Sequence, residues 1–162
     1  MATRAAPQVE VDLGFLLAQA SFALSTELTA ALAAIGISPR AYCVLSKALG
    51  AEKTQGALAV ESALDKTTMV VTVDELEAAG LAERRPSTTD RRVRIIAVTP
   101  AGEQVVDEGA AIVDGVYRDV LDGLAEEERD GFLAGLVRLT GSRLATPVSC
   151  EKPPRRRAPR AP

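Results

Sequence analysis

The sequence predicts a mainly α-helical chain with one small β-hairpin, on three observations. Long stretches near both ends repeat apolar residues every three or four positions. Between them lie two short helix-sized segments, each preceded by a good capping residue. A charged turn flanked by β-formers follows the second of these. A length of 162 residues suits one domain with a substantial core. Hydrophobic content of 47% and charged content of 25% fit a soluble globular protein, and aromatics at 3% leave the core to Ala, Leu and Val.

Residues 1–10 show no periodic face and read as a flexible leader. From Leu13, apolar residues fall at Leu17, Ala20, Leu24, Leu28, Leu32 and Ile35, which predicts a long helix closed by Gly36. Phe15, Leu16, Phe22 and Ala23 widen its stripe beyond the needs of a small core, which points to a subunit contact. Ser38 and Pro39 form an N-cap and first-position proline for a helix over Arg40–Leu49, with Tyr42, Leu45 and Leu49 as its packing face. Thr54 caps a short helix over Gln55–Leu64. Asp65 caps another over Lys66–Ala79, which Gly80 stops. On that second helix Met69, Thr72, Val73 and Leu76 share the packing face, leaving Thr67, Thr68, Val70, Val71 and Asp74 on the others.

Leu81–Arg84 and Val93–Val98 read as two strands around a turn rich in Pro, Ser, Thr and Asp, bringing Arg84, Arg85, Arg91, Arg92 and Arg94 together beside the helix. Thr99 and Pro100 repeat the cap and proline to launch a long helix, whose Gly109, Gly115 and Gly123 lower its propensity and call for support from a packed helix. The acidic run Glu126–Glu128 opens the last helix, with Phe132, Leu133, Leu136, Val137 and Leu139 on its apolar face. Residues 141–162 lose periodicity and end in Pro and Arg, a composition expected to stay disordered.

Composition excludes several chemistries. The chain has no histidine, so it holds no Ser-His-Asp or Cys-His arrangement and no histidine zinc site. Cys43 and Cys150 make neither a disulfide framework nor a metal-binding spacing, and no metal or cofactor is expected. Apolar stretches are interrupted before a membrane-spanning length and no secretion signal is evident, which leaves the cytoplasm as the expected location and no membrane as a partner. The formal net charge of −3 argues against indiscriminate nucleic-acid binding while allowing a local basic patch.

Leu58-Ala59, Leu76-Glu77, Gly80-Leu81, and above all Asp90-Arg91-Arg92 followed by Val98-Thr99 and Gly102, occur in one order between long flanking helices. In this the chain resembles the multiple antibiotic resistance regulator (MarR) family of transcription factors, over roughly Leu13–Leu139. The resemblance implies a winged helix-turn-helix plus a helical dimerisation lobe: a single domain over 11–140, with 38–99 as the DNA-binding lobe and 11–35 and 100–140 as dimerisation helices. It implies a homodimeric, ligand-responsive repressor, not an enzyme, that binds near-palindromic double-stranded DNA. Lys66, Thr67, Thr68, Val70, Val71 and Asp74 would lie on or near the recognition face. Arg84, Arg85, Arg91, Arg92 and Arg94 would serve the wing, Arg92 in the minor groove and Asp90 as brace. A small-molecule effector would enter a crevice near Tyr42 and Cys43. One departure stands out: Val71 takes a position where many relatives carry arginine, and Asp74 and Glu75 add negative charge. A dimeric effector-binding or interaction module with weak DNA binding is therefore the alternative.

Overall fold

The computed structural model describes residues 12–146. The leader over 1–10, Cys150 and most of the basic tail lie outside the described residues. In chain order the elements are α1 (Leu13–Leu32), a 3-10 turn (Ala33–Ile35), α2 (Pro39–Ala48), β1 (Lys53–Thr54), α3 (Gln55–Glu61), α4 (Lys66–Ala78), β2 (Ala82–Pro86), β3 (Arg94–Val98), α5 (Pro100–Leu121) and α6 (Glu126–Thr140). Packing divides the chain between Asp119 and Val120, so α6 belongs to the second unit and is described by itself.

Capping explains most boundaries. Ser38 Oγ accepts from the Ala41 amide at 3.2 Å, and Thr54 Oγ1 from Ala57 at 3.1 Å. Asp65 Oδ1 accepts from Thr68 at 3.0 Å. Each supplies a partner to an amide that the first helical turn leaves without one. Gly36, Gly50 and Gly80 stop helices with φ near +70°. α3 ends earlier than the spacing predicts, at Glu61, because the chain turns through Ala63 at φ +52°. That left-handed position turns the backbone towards α4, and no glycine marked it in the sequence.

The core of the first unit gathers Ala41, Val44, Leu45 and Ala48 of α2, Leu58 and Ala59 of α3, and Met69, Val73 and Leu76 of α4, with Leu32, Ile37, Ala82, Ile96, Val106 and Val113 around them. The packing face of α4 is the one its spacing predicts, including Thr72, whose buried hydroxyl donates to the Thr68 carbonyl at 2.8 Å. For α2 the expectation needs correction. Leu49 is its C-cap and is exposed, while Ala41, Val44 and Ala48 join Leu45 inside.

The sheet has three strands rather than the expected two, in the antiparallel order β1-β3-β2. β1 pairs Lys53 with Ile96 and Thr54 with Ile95, which ties the segment before α3 to the hairpin. Thr99 joins the hairpin to α5: its hydroxyl donates to the Gly80 carbonyl at 2.8 Å and accepts from the Gly102 amide at 3.1 Å. Gly102 lies hard against the Leu81 carbonyl and the Val98 side chain, leaving no room for a Cβ.

Leu13–Ile35 is long and apolar enough to cross a membrane by length and composition, contrary to the expected interruption. Its hydroxyls offer little interruption because Thr26 and Thr29 donate back to the carbonyls of Phe22 and Ser25, at 2.9 and 2.7 Å. Taken singly, α1 exposes Leu13, Phe15, Leu16, Leu17 and Phe22, and α6 exposes Phe132, Leu133, Val137 and Leu139. In the second unit, Glu128 accepts from the Ala125 amide at 3.2 Å, and Arg129 pairs with Asp122 at 2.9 Å.

Candidate nucleic-acid interface

On α4, Lys66, Thr67, Val70, Val71 and Asp74 are exposed and Thr68 is half-buried. They follow from the same periodicity that buries Met69, Thr72, Val73 and Leu76 opposite. Two of these side chains are already engaged. Thr68 Oγ1 donates to Asp65 Oδ2 at 2.6 Å, and that bond, with the Thr68 amide, holds the Asp65 carboxyl below its ordinary range. Asp74 Oδ1 accepts from Arg84 Nη2 at 2.7 Å.

Strand pleat separates the hairpin arginines instead of gathering them. Neighbouring residues on a strand point to opposite faces. Arg84 therefore turns towards α4, where it also pairs with Glu77 and donates to Gln55 Oε1 at 3.2–3.3 Å. Burial alone would lower the guanidinium's pKa, but the carboxylates of Asp74 and Glu77 outweigh it and raise it. In this arrangement Arg84 ties α3, α4 and β2 together. Arg85 lies on the other face, near Glu52, and the two help line a cavity of about 270 Å³ behind the hairpin. Arg91, Arg92 and Arg94 are exposed at the tip.

The tip is held by a compact set of bonds. Ser87 N donates to the Val93 carbonyl at 2.9 Å, and Val93 N to the Asp90 carbonyl at 2.9 Å. Asp90 Oδ1 accepts from the Arg92 amide at 2.9 Å, an Asx turn that fixes the backbone carrying Arg92. Sequence reasoning missed a second anchor, Glu52. Its carboxylate accepts from Ser87 Oγ at 2.7 Å and from the Thr88 amide at 3.1 Å. Bonds from Thr88 and then Ser87 hold that carboxyl below its ordinary range. No periodic signal links Glu52 to residues 35 positions away, so only the folded chain reveals the contact.

A second cavity, of about 250 Å³, opens between α1, α2 and α5 within the first unit. Leu28, Leu32, Pro39 and Val113 line it together with Tyr42, Cys43, Ser46 and Tyr117. The Tyr42 ring rests on the backbone of α5 at Gly109, where a Cβ would come within 2.5 Å of Cε2. Burial raises the Tyr42 phenol's pKa, and the charge of Asp114 raises it further. Tyr117 went unnoticed in the sequence, although it follows Val113 by one helical turn.

Among the described residues no group of three or more His, Cys, Asp or Glu is placed to hold a metal ion. The arrangement offers instead a free helix face beside a braced hairpin tip bearing cations, the elements that a major groove and a neighbouring minor groove can accept.

Comparison with known proteins finds the same fold. The MarR family profile matches residues 35–93. The crystal structure of CouR from Rhodococcus jostii RHA1 bound to p-coumaroyl-CoA is 29% identical, with a TM-score of 0.73 over 90% of this chain and 100% of that one. A MarR family transcriptional regulator from Rhodococcus sp. RHA1 is 28% identical, with a TM-score of 0.74 over 88% and 100%. The transcriptional regulator PA3341 is 31% identical, with a TM-score of 0.72 over 82% and 98%.

Proposed function

This chain belongs to the MarR family of winged helix-turn-helix transcriptional regulators, and on that premise we propose that it is a cytoplasmic homodimer that binds near-palindromic DNA as a ligand-responsive repressor. The observation that carries the reading is the braced hairpin tip, in which Asp90 and Glu52 hold the loop that presents Arg91 and Arg92. An arginine on an ordered loop enters a narrow minor groove with little entropy to lose and gains from the focused negative potential there. Arg91 and Arg94 meet phosphate. Lys66, Thr67, Val70 and Val71 lie along the major groove, where the valines pack on thymine methyl groups.

Pairing with Arg84 offsets the charge of Asp74 on the recognition face, which favours DNA binding over the interaction-module alternative. The exposed apolar side chains of α1 and of α6 support a second copy as partner, since burying them removes large hydrophobic area from water. Symmetry in that dimer predicts symmetry in the operator. The cavity beside Tyr42 and Cys43 supports an effector, as does the relative CouR, which was crystallised with p-coumaroyl-CoA.

Selection from a random DNA pool with the purified protein, followed by titration at fixed salt, tests the reading. A symmetric site should emerge, and Arg92→Ala should weaken binding to it by on the order of 1–3 kcal/mol while the dimer stays intact. Absence of any sequence preference, or unchanged affinity in the variant, would overturn the reading.

A further inference from the structure

The outward face of α4 is apolar at its centre. Thr67, Val70, Val71 and Asp74 recur at helical spacing and all four are exposed, on the side opposite Met69, Thr72, Val73 and Leu76. Val70 and Val71 are 42% and 49% exposed. Two adjacent β-branched residues there lower helix propensity and leave hydrocarbon in water, where Lys or Glu would serve a merely solvated face better. Lys66 precedes this stripe, and at its far end the charge of Asp74 is offset by Arg84 Nη2 at 2.7 Å. α4 contains no Arg, Asn or Gln, the side chains that read guanine and adenine through paired hydrogen bonds. What the face offers a major groove is a hydrocarbon patch, and its counterpart there is the C5 methyl group of thymine.

The same methyl occupies the same edge of 5-methylcytosine. Beside it the two bases differ, thymine presenting an O4 acceptor and cytosine an N4 donor. Valine forms no hydrogen bond and cannot tell them apart, while the Thr67 hydroxyl can donate or accept and so suits either. We propose that Val70 and Val71 read the C5 methyl group itself, so that 5-methylcytosine substitutes for thymine in the binding site and cytosine methylation creates sites for this protein. The inference rests on the DNA-binding reading given above and adds a chemical modification of DNA as its input.

The test uses the full chain and the duplex obtained by selection, at fixed salt. Each thymine of a half-site, with its symmetry mate, is replaced in turn by uracil, by cytosine opposite guanine, and by 5-methylcytosine opposite guanine. Uracil removes only the methyl, and the two cytosine duplexes differ only by it. At the thymine facing the valines, uracil should weaken binding roughly fourfold per methyl and roughly 15-fold across two half-sites. Cytosine should weaken it at least as much, and 5-methylcytosine should restore most of that loss. Val70→Ser combined with Val71→Ser should bring the thymine-to-uracil affinity ratio close to one and leave the salt slope unchanged, since neither residue meets phosphate. Thermal unfolding reports whether that variant folds, and the comparison of bases on the unmutated protein decides independently of it.

Uracil binding as tightly as thymine at every position would overturn the proposal and point to DNA shape as the readout. So would 5-methylcytosine as weak as cytosine, or a uracil effect that survives in the folded valine variant. A selection that yields no preferred sequence removes the DNA-binding reading and this inference with it, whereas a preferred sequence indifferent to methyl groups removes this inference alone.

Discussion

Replacing Gly109 with alanine pits local propensity against tertiary packing on one helix. Alanine in a helix interior is favoured over glycine by about 0.8–1.0 kcal/mol, so the isolated sequence of α5 predicts stabilisation. In the folded chain the new methyl would lie 2.5 Å from Cε2 and 2.7 Å from Cδ2 of Tyr42. Carbon contacts settle near 3.5–4.0 Å, so the ring and the helix must part by roughly 1 Å. The ring is a rigid plane between two helices and cannot fold aside as a flexible chain end would. Overpacking of this kind costs about 1–3 kcal/mol. The difference leaves Gly109→Ala destabilised by about 1 kcal/mol, equivalent to a fall in Tm of roughly 2–4 °C for a chain of this length.

Gly115 on the same helix has open space at its Cβ, and Gly115→Ala should stabilise by about 0.5–1 kcal/mol. Urea unfolding at one fixed protein concentration compares the two, with tyrosine fluorescence reporting Tyr42 and Tyr117. Stabilisation by both substitutions would refute the close-packing argument.

Two further predictions follow from the network of the hairpin. The Glu52 carboxyl is held below its ordinary value near 4.5, so its bonds stabilise the tip fully above that pH and lose their effect as pH falls through the lower folded value. Exchange protection of the Thr88 amide should fall across that acidic window in the wild type, and Glu52→Gln should remove the dependence. Arg84→Met should weaken DNA binding by exposing the charge of Asp74, without lowering the salt slope by the increment of about 1 expected for a lost phosphate contact. Adding Asp74→Asn should restore much of the affinity; a slope reduced by about 1 in Arg84→Met would instead mean that Arg84 touches DNA.

Local chemistry made much of the fold legible. Ser38, Thr54 and Asp65 cap the helices they precede because a side-chain oxygen one step before a helix meets the same free amides in any context. The face of α4 follows from a period of 3.6, and the hairpin from β-formers around a polar turn. Asp90 was readable too, since its bond to the Arg92 amide spans two residues.

What the tertiary structure alone decided involves partners far apart in sequence, or faces set by register. Glu52 reaches Ser87 only because β1 pairs with β3. Arg84 and Arg85 read alike as adjacent cations, yet the pleat commits one to Asp74 and Glu77 and places the other beside Glu52. Gly109 looked like a weak point in a helix until folding set the Tyr42 ring against it. Caps and periods act through the nearest few residues and are written in their order; contacts between elements depend on distances that only the assembled fold establishes.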